Sequence, residues 1–83
     1  MNRRKLLKKV LQGSKNVRFK DFVALIEGYG FSESRVSGSH HIFSHPEVDQ
    51  LVNIHSVGGQ AKPYQVRQFL KLVEKCNLDL KDE

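Results

Sequence analysis

Toward both ends of this chain apolar residues recur three and four positions apart, while the middle alternates apolar with polar. Over residues 3–12, Leu6, Leu7, Val10 and Leu11 fall at helical spacing, and Gly13 supplies a stop. Gly13, Ser14 and Lys15 read as a hinge, with Asn16 as the cap of a second helix. Phe19, Phe22, Val23 and Ile26 form that helix's apolar stripe, and Gly28-Tyr29-Gly30 ends it, where a glycine takes the left-handed conformation. The period then changes. Residues 31–36 predict a strand, Ser37-Gly38-Ser39 a tight turn and residues 40–44 a second strand closed by Pro46. A short acidic turn through Glu47 and Asp49 leads to a third strand over 51–55. Residues 56–62, with Gly58-Gly59, read as a flexible loop. Pro63 then opens a helix that buries Val66, Phe69, Leu70 and Val73 and runs to about Cys76, with Asn77 near its end.

The expected order is one extra N-terminal helix followed by αβββα, an α+β fold. Consecutive hairpins give a three-stranded antiparallel sheet, and two amphipathic helices cover only one of its faces. The other face stays open to solvent. Residues 1–15 form an arm and residues 16–83 the domain, a length that fits one core.

Charge sharpens this division. Residues 1–20 hold eight Lys or Arg (Arg3, Arg4, Lys5, Lys8, Lys9, Lys15, Arg18, Lys20) and no acid. The other 63 residues hold six bases against nine acids, so the net +5 is a basic arm on a mildly acidic body. Such an arm suits a phosphate backbone, where each neutralised phosphate releases counterions; it also suits a solvated helix face. No apolar run approaches the roughly 20 residues that cross a bilayer, and no secretory signal is read, so a cytoplasmic setting is expected. Cys76 is the single cysteine, which excludes an internal disulfide framework.

Three of the four histidines lie in SGSHHIFSHP, residues 37–46. Alternation sends His41 and Phe43 to one face and His40 and Ile42 to the other. Phe43 is the bulkiest apolar residue of the strand and belongs under the helices, which leaves His40 on the open face. Three readings compete. A metal would need convergent ligands, yet strand neighbours diverge and no Cys or acid joins them at a standard spacing, so neither metal nor cofactor is expected. The imidazoles also suit a half-polar sheet, with His41 satisfied near the core. One of them, finally, suits proton transfer near neutrality, in chemistry whose substrate brings its own nucleophile, as RNA does with its 2′-hydroxyl. Arg67, Lys71 and Lys75 make a basic stripe on the last helix, while Lys62 and Tyr64 flank its start.

A helix ending in Gly-Tyr-Gly-Phe, a strand bearing Arg35, then Gly38-Ser39-His40-His41-Ile42-Phe43 and His45-Pro46, and a closing helix containing Arg67 together resemble the HicA toxin family over about residues 17–78. The resemblance implies a double-stranded-RNA-binding-domain-like fold, ribosome-independent mRNA cleavage and inhibition by a HicB-like antitoxin; joined to the lone-histidine chemistry above, it gives a metal-independent endoribonuclease as the expected activity. It also implies a catalytic histidine directly after Gly-Ser, which is His40. From their positions in the sequence, Ser39, His41 and His55 are candidate supports. RNA would then contact the arm (Arg3, Arg4, Lys5, Lys8, Lys9), Arg35, Lys62 and Arg67. A non-catalytic RNA-binding module on the same fold is the alternative reading. Two features depart from the family pattern: the basic helix before the domain, and a long closing helix followed by an acidic tail.

Overall fold

A computed structural model describes residues 3–12 and 17–81, with the Arg3 side chain outside that description. The elements run α1 (Arg3–Leu11), β1 (Val17–Arg18), α2 (Phe19–Gly28), β2 (Ser32–Ser37), β3 (His40–His45), β4 (Val48–His55), β5 (Gln60–Ala61) and α3 (Pro63–Lys75). Strands β2, β3 and β4 form one antiparallel sheet in that order, so the fold is α+β, αβββα with an additional N-terminal helix.

Both domain helices end by the same device. After α2, Gly30 at φ 96° lets its N–H reach the Glu27 carbonyl (3.0 Å) while Phe31 N–H reaches Ile26 (3.4 Å). After α3, Asn77 at φ 52° does the same toward Glu74 (3.3 Å), with Leu78 on Val73 (3.0 Å). Each is a Schellman closure that satisfies carbonyls the helix cannot.

The start of α2 differs from expectation. Asn16, the expected cap, lies outside the described residues, as do Gly13, Ser14 and Lys15. The helix begins at Phe19, Arg18 stands at the cap position, and no side chain caps it. The Phe19 N–H instead donates to the Gly59 carbonyl at 3.0 Å. That bond belongs to a small second sheet in which Val17 and Arg18 pair with Ala61 and Gln60. The 56–62 segment is therefore not a free loop: Val57 also bridges Gln60, and the segment ties the start of α2 to the end of β4. A further difference is that β4 begins at Val48, opposite His45, so Pro46 and Glu47 alone make the turn.

The core lies between the helices and one face of the sheet. Phe22, Leu25, Ile26 and Phe43 are fully buried, and Phe69 of α3 meets Phe22, Tyr29 and Phe31 edge-on at 5.5–5.8 Å. α1 packs on α2 and joins the core through Val10, with Leu7 against it; Leu6 is buried as well, whereas Leu11, expected on the apolar side, ends its helix exposed. Beyond α3 the chain turns back: Leu78 and Leu80 pack against the core, and Lys81 N–H donates to Gly28 O at 2.8 Å.

Candidate active site

The β2–β3 connection sets the site. Ser37 and His40 pair across a two-residue turn, and Gly38 takes φ 61° at its first central position, as a type II′ hairpin turn demands. The Ser39 carbonyl accepts the Ser56 N–H at 3.2 Å, fastening this turn to the far end of β4. Ser39 itself is exposed.

Pairing then sorts side chains into faces. His41 pairs with Ile54 and Phe43 with Val52, and these belong to the helix-covered side, where Phe43, Ile54 and Val52 are buried. On the open side Ser37, His40 and His55 form one cross-strand row, and Arg35, Ile42 and Asn53 the next. His40 is exposed, and its ring stands 5.2 Å from that of His55, tilted by 37°. Within the described residues no group hydrogen-bonds the His40 ring.

The other three imidazoles are each tied at Nδ1. His41 Nδ1 lies 2.6 Å from Glu33 Oε2, a short contact in which the nitrogen donates to the carboxylate, and the ring leans on Phe19 at 4.9 Å. A bulge at Ser34 turns Glu33 into reach, and the Ser34 hydroxyl donates to the Ile42 carbonyl there at 3.1 Å. His45 Nδ1 accepts the Glu47 N–H at 3.0 Å, and its ring packs on Phe31 at 5.0 Å. It also fills the space beside Gly30, where an added Cβ would meet Nε2 at 2.8 Å. His55 Nδ1 faces the Gln65 amide nitrogen at 3.1 Å.

The cationic residues divide by location. Arg35 shares the open face with His40. Lys62 stands at the cap of α3, three residues before the Gln65 that meets His55, with its ammonium 5.9 Å from the Tyr64 ring. Arg67 is exposed on α3, two residues past Gln65 and so on a different side of the helix. Arg4, Lys5, Lys8 and Lys9 lie on α1, which packs on α2, one of the helices that cover the other face of the sheet. Among the described residues no three His, Cys, Asp or Glu side chains converge to hold a metal.

Two residues at the site escape a reading of the sequence. Gln65 is polar yet buried; its spacing from Phe69 and Leu72 places it on the inner stripe of α3. Glu33 reaches His41 only because of the bulge, which a strict period of two conceals.

A family model described as HicA toxin of bacterial toxin-antitoxin matches residues 19–74, from the first residue of α2 to the last turn of α3. Neither the curated proteins nor the solved structures give a match. The matched span contains all four histidines, Arg35, Lys62, Gln65 and Arg67, and leaves α1 outside.

Proposed function

The chain belongs to the HicA family of toxins from bacterial toxin–antitoxin systems, and from that premise we propose that it is a metal-independent endoribonuclease cleaving cytoplasmic mRNA with His40. The observation that supports this most is the situation of His40: exposed on the open sheet face, beside the Gly38-Ser39 turn, with its ring nitrogens uncommitted within the described residues. An imidazole so placed can serve a bound substrate first as proton acceptor and then as proton donor.

The chemistry follows from the substrate. His40 removes the proton of an RNA 2′-hydroxyl, and that oxygen attacks the adjacent phosphorus. The bond to the 5′ oxygen breaks, and this oxygen takes a proton from His40 or solvent, leaving a 2′,3′-cyclic phosphate and a 5′-hydroxyl. Arg35 on the same face and Lys62 at the head of α3 hold the backbone nearest the reacting phosphate. The α1 cations (Arg3, Arg4, Lys5, Lys8, Lys9) and Arg67 act at longer range, on RNA that extends beyond the sheet. Ser39 shapes the turn that presents His40. His41 supports the strand from the core side, through Glu33 and Phe19. A HicB-like antitoxin is the partner that covers the open face and stops cleavage.

The alternative is an RNA-binding module on the same fold that reads 2′-hydroxyls without cutting. Purified protein and a His40→Ala variant incubated with RNA and a chelator separate the two. Cleavage by the wild type alone supports the enzyme. Binding without cleavage by either establishes the module.

A further inference from the structure

Among the described residues Gln65 is the one buried amide or charged side chain, at 7% exposure, and both ends of its amide are spent on His55. The His55 backbone N–H can only donate, so the amide end facing it at 3.4 Å is the carbonyl oxygen. The NH₂ end therefore faces His55 Nδ1 at 3.1 Å. An amide NH₂ also only donates, so Nδ1 must accept and carries no proton. Turning the amide over would set its NH₂ against the backbone N–H, two donors face to face. The packing of α3 against the core through Val66 and Phe69 holds the residue in place.

We propose that Gln65 is a positioning residue that fixes neutral His55 as the tautomer protonated on Nε2, and that His55 uses this N–H to hydrogen-bond a phosphoryl oxygen of the RNA beside His40. His55 then stabilises charge as it develops on the phosphate and exchanges no proton itself. The inference rests on the ribonuclease reading of His40 and adds a second group with a different task. It also separates His55 from His41, whose Nδ1 is the protonated nitrogen because a carboxylate faces it. The same ring thus carries opposite tautomers on the two faces of one sheet, each set by its Nδ1 partner.

Two measurements on the full chain test this. Two-bond proton–nitrogen correlation spectra of the histidine rings at about pH 8, above the ordinary imidazole range of about 6.5, read the tautomer without any RNA. His55 is expected protonated at Nε2 in the wild type and at Nδ1 in Gln65→Glu, where a carboxylate can only accept. A wild-type His55 protonated at Nδ1 overturns the positioning role. Cleavage by His55→Gln and His55→Phe then tests the donor. Both variants remove the Nδ1 acceptor that Gln65 meets, but only glutamine places an N–H near the former Nε2. His55→Gln is expected within roughly tenfold of wild type and His55→Phe roughly 10²-fold down, the scale of removing one transition-state donor. Equal losses in the two overturn the donor role. A wild type that cuts no RNA overturns the ribonuclease reading and the donor role with it, while the ring spectra still decide the place of Gln65.

Discussion

His40 and His41 are consecutive in the chain and live in opposite surroundings. His41 is pinned between a carboxylate at 2.6 Å and the Phe19 ring, on the side of the sheet that the helices cover. His40 lies on the bare side with a second imidazole for a neighbour and no hydrogen bond to its ring within the described residues. The contrast teaches that histidine content by itself says little about a site. What decides is whether a ring's nitrogens are already spent. Three rings here have a settled Nδ1 partner, two of them accepting and one donating, and the unspent ring is the one next to the glycine turn.

The largest effect that would break this contrast is chemical. His40→Ala should lower RNA cleavage by roughly 10²–10⁴-fold and, because the residue is exposed, leave thermal unfolding within about 0.5 kcal/mol of wild type. Next comes packing around the third ring of the strand. Gly30→Ala puts a Cβ against His45 Nε2 and strains a backbone at φ 96°, so a loss of about 1–3 kcal/mol is expected in denaturant titrations. His41→Ala should invert the His40 result. The half-exposed pairing with Glu33 and the packing on Phe19 are together worth about 1 kcal/mol of stability, and cleavage should fall by less than tenfold. Comparable losses of cleavage from His40→Ala and His41→Ala would erase the division between the two faces.

The smallest effect concerns the arm. Lys8→Glu with Lys9→Glu should weaken RNA binding mainly at low salt. It should reduce the slope of log affinity against log salt by about 0.7 for each phosphate of a single strand that is no longer neutralised, with the cleavage rate at saturating RNA unchanged. A fall in that saturated rate would place α1 closer to the reacting phosphate than its packing on α2 implies.

Much of this architecture can be read from the residues, and the exceptions have physical causes. Alternation around the bulky Phe43 suffices to put His40 and His41 on different faces, because a strand's period of two leaves no other arrangement once Phe43 is buried. The Gly30 stop and the Pro63 start are equally plain, since each meets a backbone requirement that few residues satisfy. The two-residue pairing of β1 with β5 is too short to show any period, so residues 56–62 read as loop. The acidic charge of the C-terminal tail masks Leu78 and Leu80, which pack on the core. Gln65 is hidden by its chemistry: a glutamine reads as solvent-facing even when its spacing from Phe69 and Leu72 places it inside. Glu33 is hidden by the bulge. The residues that orient the rings are thus harder to see than the rings themselves, because orientation depends on pairings between distant segments.

Cleavage by His40 through the RNA's own 2′-hydroxyl leaves a signature in the products. The most direct measurement compares an RNA oligonucleotide with one carrying a single 2′-deoxy nucleotide at the cleaved position. Both are incubated in chelator with wild type or His40→Ala, and the product ends are analysed. A 2′,3′-cyclic phosphate is expected from the wild type on the all-RNA strand alone. Cutting of the 2′-deoxy strand at the same position, or cutting by His40→Ala at the wild-type rate, would contradict it.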